Sequence, residues 1–440
     1  MFEHLWFILP GILVGTVAGF LPGIGIFAAM MMLLPLLHQI SAVELLTFYI
    51  ALASTTQYIG SITATVFGLP GEPSSLPAVK EGNQLYKLGQ GSYAISGAAL
   101  GSFVGSVLVV LLVSLFAPQL DHIYKIYNTK TLALILFGVS FLICVTHENK
   151  IAAVILAIAG YFLGLIGCRQ MDDYCFATFG NPDLTTGLPL ISVICALYVF
   201  PQLLQADKFK DSKIELEDSF TVKHLGKYVK NISSSIRGTV IGFFAGFTPG
   251  ISTAVSSNLA YSIEKWIQTR KKKYSPGNYP SLVSAETANN AGAFSVLLPL
   301  VVFGIPLVPS EAMLYELIMS KGVILGQNFT ASYFLSTLVP VLLITNAIAI
   351  CVAWPLAKYI CYLKKVPAKY FKTLVFLLLL FSIYANGKIS FQESYNLLVF
   401  FLLMPVGYIL RKIDTLPLIF VFIIQSRLDV VTISLKDLLT

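Results

Sequence analysis

Apolar runs long enough to cross a bilayer, about 20 residues each, recur along the whole chain. They fall near 5–37, 42–70, 93–118, 130–168, 186–205, 236–262, 286–326, 331–363, 371–386 and 394–426. Several are long enough for two crossings, or for a crossing and a hairpin. A helical rise of ~1.5 Å per residue and a hydrocarbon core of ~30 Å give roughly 10–13 membrane segments. Only 12% of the residues are charged, against about 25% in soluble domains. The expected fold class is an all-α polytopic membrane protein, embedded in the lipid bilayer. Its start, MFEHLWFILP, has no basic n-region and no small-residue cleavage site, so it reads as the first membrane segment.

That frame excludes several function classes. The net charge of +7 reports membrane topology through the positive-inside rule and implies no nucleic-acid partner. No P-loop is present, which argues against an ATP-driven motor in this chain. The six cysteines, Cys144, Cys168, Cys175, Cys195, Cys351 and Cys361, show no CxxC spacing and read as small packing residues, with no disulfide or metal role expected. No Ser–His–Asp set, His/Cys cluster or catalytic pair of acids can be assembled, so the chain does not read as an enzyme and no cofactor is implied.

The one clearly polar stretch, 206–237, divides the chain into a first membrane half at 1–205 and a second at 238–440. It suits a cytoplasmic linker with an amphipathic helix. The halves repeat two motifs in the same order. Ala18-Gly19-Phe20-Leu21-Pro22-Gly23-Ile24 is matched by Ala245-Gly246-Phe247-Thr248-Pro249-Gly250-Ile251. Glycines precede each at four-residue spacing, Gly11, Gly15, Gly19 and Gly238, Gly242, Gly246. Such spacing lets helices pack closely in lipid. Phe67-Gly68-Leu69-Pro70-Gly71-Glu72-Pro73-Ser74 is matched by Phe303-Gly304-Ile305-Pro306-Leu307-Val308-Pro309-Ser310. Internal repeats of this kind are a habit of secondary transporters.

The halves read as inverted. The loop 263–280 carries Lys265, Arg270, Lys271, Lys272 and Lys273 and is placed in the cytoplasm, whereas its counterpart, His38 to Glu44, has no Lys or Arg. Since the linker before Gly238 is also Lys-rich, 238–262 reads either as a re-entrant hairpin with its tip at Thr248-Pro249-Gly250 or as an ordinary crossing with a proline kink.

Residues 281–310 are apolar enough for a membrane. They nevertheless carry Glu286, Asn289 and Asn290 at one end and Pro299, Gly304, Pro306 and Pro309 at the other. In hydrocarbon, polar side chains and broken backbone survive only inside protein or beside a wet cavity. Helices restarting after the breakers, at Ser252 and Thr253, Ser74 and Ser75, and Ser310, would present anion-binding N-termini with hydroxyl caps. The residues after Ser75 read as polar enough to lie in water. Glu72 and Glu286 are candidates to bind a coupling ion or carry a proton, and the Asn amides to bond a carboxylate or coordinate Na+. Glu311 reads as a first-turn acid complementing a helix dipole. Thr63 and Thr65 are secondary candidates. They share a face only if their segment is extended.

The segment 60–105, GSITATVFGLPGEPSSLPAVKEGNQLYKLGQGSYAISGAALGSFVG, resembles the signature of the TctA family, the large membrane subunit of tripartite tricarboxylate transporters. The likeness continues in PGIG at 22–25, TPGIST at 248–253, AETANN at 285–290, LPLVVFGIP at 298–306 and GYILRKIDTLPL at 407–418. The sequence departs from the family pattern at Gly68 for Asn, Ala285 for Pro and Leu307 for Gly, and lacks a glycine-rich helix after Pro417.

The resemblance implies uptake of small organic carboxylates across the bacterial inner membrane, by symport with Na+ or H+. It also implies two partners, a periplasmic solute-binding protein and a small four-helix membrane subunit. By similarity the motif positions include Gly60, Ser61 and Pro73. The resulting substrate-binding candidates are Pro22, Gly23, Ser61, Thr63, Pro70, Gly71, Ser74, Ser75, Pro249, Gly250, Ser252, Asn289, Asn290, Gly304 and Pro306. Glu72 and Glu286, with the two asparagines, form the ion-coupling set. Rival readings are a passive anion channel, a stand-alone carboxylate carrier without a binding protein, and a membrane enzyme acting on a lipid-linked substrate.

Overall fold

The structure, a computed structural model, describes residues 3–20, 25–68, 73–124, 149–168, 175–205, 222–248, 252–323, 334–363, 393–413 and 415–425, with scattered positions between them. The longer helices are α1 (Ile8–Phe20), α2 (Gly25–Met32), α3 (Ala42–Phe67), α4 (Gly91–Tyr124), α5 (Lys150–Leu165), α6 (Val222–Val229), α7 (Ile232–Ala245), α8 (Ser252–Arg270), α9 (Tyr279–Phe303), α10 (Pro309–Met319), α11 (Val339–Leu363), α12 (Glu393–Leu410) and α13 (Leu416–Gln425). The all-α expectation holds, apart from a two-residue antiparallel ladder between β1 (Gly167–Cys168) and β2 (Cys175–Phe176). Among the described residues, two stretches of 25 residues, Gly91–Leu115 and Ser336–Ile360, are long and apolar enough to cross a membrane.

Two central helices, α3 and α9, have ends written in the sequence. Ser41 caps α3 in a reciprocal box with Glu44: the Ser41 N–H donates to Glu44 Oε2 at 2.7 Å, and the Glu44 N–H to Ser41 Oγ at 3.4 Å. Asn278 Oδ1 caps α9 by accepting from the Ser281 N–H at 3.1 Å. Each helix ends on a glycine in the left-handed region, Gly68 at φ 68° and Gly304 at φ 69°. A side chain is strained there, which is why the duplicated Phe-Gly step keeps its glycine.

The glycine ladders serve close packing. A Cβ at Gly15 would lie 2.6 Å from the Leu52 carbonyl oxygen of α3, and one at Gly242 2.5 Å from that of Ala288 in α9. Gly11 and Gly19 meet the Phe48 and Thr56 carbonyls in the same way, and Gly238 and Gly246 those of Ser284 and Gly292. So α1 lies on α3, and α7 on α9, each stepping one turn per glycine. The opposite faces carry Leu9, Leu13 and Val17 on α1 and Ile236, Val240 and Phe244 on α7. All are exposed, with Leu13 at 68% and Phe244 at 69%. Small residues inside and large apolar ones outside reverse the amphipathicity of a soluble helix and suit a hydrocarbon solvent.

Helices α3 and α9 run antiparallel. Ser61 meets Glu286, while Tyr49, three turns earlier on α3, meets Ser310 beyond the end of α9. Packing also crosses between the two halves of the chain. Gly101 and Gly105 of α4 lie against Thr287 of α9, Gly160 of α5 against Leu418 of α13, and the Tyr58 hydroxyl donates to Asn346 Oδ1 of α11 at 3.2 Å.

Helices α7 and α8 fold back on one another. Ser256 Oγ donates to the Gly242 carbonyl at 3.4 Å, and Arg237 forms a two-pronged ion pair with Glu264, Nε to Oε2 and Nη2 to Oε1, both at 2.8 Å. These pairs lie almost symmetrically about position 249. That is the geometry of a hairpin and not of a kinked crossing.

Two expectations are corrected. Cys168 and Cys175 form a disulfide across the β1–β2 ladder; a seven-residue spacing with no motif gave no sequence signal for it. The segment after Ser75 is only partly in water: Lys80, Gln84 and Lys87 to Gln90 are exposed, but much of it is not. Ser74, Ser75, Glu81 and Asn83 are all buried, because this segment packs under the basic loop. Glu81 Oε1 accepts from the Tyr261 hydroxyl at 2.9 Å and the Tyr274 hydroxyl at 2.8 Å, and Oε2 from the N–H groups of Gly277 at 2.8 Å and Asn278 at 2.7 Å. Four donors fill the carboxylate and tie the first half of the chain to the start of α9.

Candidate functional site

The seam between α3 and α9 holds the polar residues that the apolar composition makes costly. Glu286 lies one-third of the way along α9 and is fully buried. The Ser61 hydroxyl of α3 donates to Glu286 Oε2. The other carboxylate oxygen, Oε1, is buried with no hydrogen-bond partner. Asn289 and Asn290 follow at i+3 and i+4 and share the face of Glu286. Asn290 Nδ2 donates back to the Glu286 carbonyl at 3.3 Å, whereas Asn289 Oδ1 is buried and unpartnered. Buried polar atoms are ordinarily paired, so two free acceptor oxygens on one face make this the candidate place for a cation or a proton. The donor set, a carboxylate and an amide oxygen, fits Na+ as well as H+.

The remaining candidates are placed as follows. Thr63 and Thr65 are helical and fully buried, their hydroxyls unpartnered. They point apart as helical geometry requires, with Thr65 beside Gly82. Ser252 opens α8 with its hydroxyl buried and unpartnered, as is that of Ser257. Ser74 and Ser75 close the short 3₁₀ turn Pro73–Ser75. Gly304 and Pro306 lie at the far end of α9, about 27 Å of helix from Glu286, where Gly304 approaches the Leu325 carbonyl.

Ser310 is not a cap. Helix α10 begins at Pro309 with Val308 before it, and Ser310 Oγ lies 3.0 Å from the Tyr49 hydroxyl. Glu311 takes the first-turn role, accepting from the Leu307 N–H at 2.9 Å. Pro22, Gly23, Pro70, Gly71, Glu72, Pro249 and Gly250 lie outside the described residues.

Glu81 and Gln57 are among the buried polar residues that sequence reasoning passed over. Glu81 sits among charges that look like a surface loop. Gln57, one turn before Ser61, is a single amide in an apolar run. A cleft of about 430 Å³ elsewhere, lined by Leu112, Val113, Phe243, Phe244, Leu298 and Pro299 among others, is apolar and offers an anion nothing.

Among the described residues, nearly all-helical structure with apolar outward faces and buried polar groups where α3 meets α9 suits the class of helical membrane proteins. The family described as the Tripartite tricarboxylate transporter TctA family matches residues 5–422, and the chain belongs to it. The chain is 29% identical over 326 residues to an Agrobacterium vitis protein described as the uncharacterized 52.8 kDa protein in TAR-I ttuC' 3'region. That similarity covers 72% of this chain and 64% of the relative, less than two-thirds of its length. An uncharacterized protein of Methanocaldococcus jannaschii is 26% identical over 422 residues, covering 94% of each chain. No solved structure matches.

Proposed function

We propose that the chain is the large membrane subunit of a secondary active transporter that imports small organic carboxylates across the bacterial inner membrane in symport with Na+ or H+. A periplasmic solute-binding protein would deliver the substrate, and a small four-helix membrane subunit would complete the complex. The observation that carries this reading is the junction of Ser61 with Glu286. It joins a buried acid in one half of the chain to the family motif of the other, with free oxygens beside it. Glu286 and Asn289 hold the coupling cation or proton. Hydroxyls and amides from both halves hold the anion.

Inverted halves are supported by the antiparallel run of α3 and α9, by their identical left-handed glycine ends, and by the matching ladders. On that reading 1–205 and 238–440 are repeats joined by a cytoplasmic linker, and alternating access rocks or slides one set of helices against the other. The apolar exposed faces support a multi-pass protein.

The test is uptake into proteoliposomes of a panel of mono-, di- and tricarboxylates, with the partner subunits present, under imposed Na+ and proton gradients. Accumulation driven by one gradient is expected. Flux that ignores both gradients and never concentrates solute would identify a passive anion channel instead.

A further inference from the structure

We infer that Gln57 is the substrate-recognition residue contributed by the first half, its side-chain amide binding a carboxylate group of the transported anion. The inference rests on the carboxylate-site reading given above and extends it to a residue outside the family motif positions.

Gln57 is only 4% exposed, yet neither Nε2 nor Oε1 has a hydrogen-bond partner. Both ends are free, so turning the amide over leaves a donor and an acceptor equally uncommitted. Four residues later on α3 comes Ser61, so the two side chains share a face one turn apart. Ser61 reaches Glu286. Helices α3 and α9 meet over a short stretch around this contact. Gln57 lies one turn of α3 away from it.

The chemistry divides the seam. Among the unpartnered buried atoms of α9, Glu286 Oε1 and Asn289 Oδ1 accept only and attract a cation or proton, whereas the Tyr279 and Ser284 hydroxyls can also donate. A carboxylate needs donors. Ser61 already gives its hydrogen to Glu286, and the Asn290 amide gives one to the Glu286 carbonyl. The Gln57 NH2 is uncommitted and lies one turn of α3 from the serine that holds Glu286. An anion bound to Gln57 and a cation bound by Glu286 would then lie next to each other and stabilise one another, which is the physical basis of symport. A buried amide that satisfies nothing within its own chain is retained against its desolvation cost, and a ligand carboxylate would relieve that cost.

The experiment measures binding of citrate, succinate and acetate to the purified full-length protein in detergent by titration calorimetry, with and without Na+ and across pH. Three variants are compared with wild type. Gln57→Met keeps the volume and removes both polar atoms, Gln57→Asn keeps the amide one methylene short, and Glu286→Gln removes the acid. Gln57→Met is expected to weaken binding of the preferred anion at least tenfold, to leave its Na+ or pH dependence in place, and to leave the melting temperature without ligand unchanged or higher. Gln57→Asn should fall between the two and serves as the reading if Gln57→Met does not insert. Glu286→Gln should abolish the Na+ or pH dependence. Wild-type affinity in Gln57→Met and Gln57→Asn, with dependence lost in Glu286→Gln, would overturn the role of Gln57 and leave the site reading standing. No change in any variant, or no binding of any of the three anions by wild type, would overturn the carboxylate-site reading itself.

Discussion

At the scale of single residues, the interior divides into polar groups that are fully paired and polar groups that are not. Glu81 is the paired kind. Its four donors converge from Tyr261, Tyr274, Gly277 and Asn278, and removing the acid leaves all four without that acceptor, Tyr261 and Asn278 buried and Tyr274 and Gly277 half-buried. Glu81→Ala should therefore destabilise the protein by on the order of 3 kcal/mol or more, seen as a clear drop in melting temperature in detergent. An unchanged melting temperature would show that the knot contributes nothing.

Glu44 gives a pH signature. Hydrogen bonds from the Ser41 backbone and then its hydroxyl hold this carboxyl below the usual carboxylate range. A group whose folded value is depressed stabilises the fold above its unfolded value and loses that contribution as pH falls through the folded one. Ser41→Ala should cost about 1 kcal/mol at neutral pH, and the difference from wild type should shrink in acid. A gap that stays constant with pH would argue against the box. Glu286 was legible in the sequence because an acid and two amides stand together in an apolar run. Gln57 was not, since one amide there carries no pattern until Ser61 and Glu286 are seen in contact.

At the scale of elements, the best-read features are those where sequence period and packing need coincide. A glycine every fourth residue leaves one face of α1 and of α7 without side chains, and the carbonyls of α3 and α9 occupy that space. Gly15→Val and Gly242→Val should each prevent this approach. The expected result is loss of folded protein in fluorescence-detected size exclusion, whereas Leu13→Val on the outward face should be tolerated. Equal yields from all three would contradict the packing. The Phe-Gly steps were equally legible, because a left-handed helix end demands glycine. The hairpin of α7 and α8 was ambiguous in the sequence, where a Pro-Gly break serves a kink as well as a turn. The pairs Ser256 with Gly242 and Arg237 with Glu264 decide it through long-range contacts that local composition does not encode.

At the scale of the whole molecule, we propose that the disulfide and the basic loop mark opposite sides of the membrane. A disulfide persists in an oxidising compartment, so on this proposal Cys168 and Cys175 lie outside, while the positive loop 263–280 lies in the cytoplasm. In cells expressing a variant that keeps only these two cysteines, an impermeant reductant followed by an impermeant maleimide should label both. Labelling that requires broken cells would reverse the orientation. We propose that the contact between α3 and α9 binds the transported carboxylate together with its coupling ion. It is tested most directly by gradient-driven carboxylate accumulation in proteoliposomes holding wild type, Ser61→Ala or Glu286→Gln, each checked for native helix content. The account predicts at least a hundredfold loss of accumulation in Glu286→Gln and a smaller but clear loss in Ser61→Ala. Wild-type accumulation in both folded variants would contradict it.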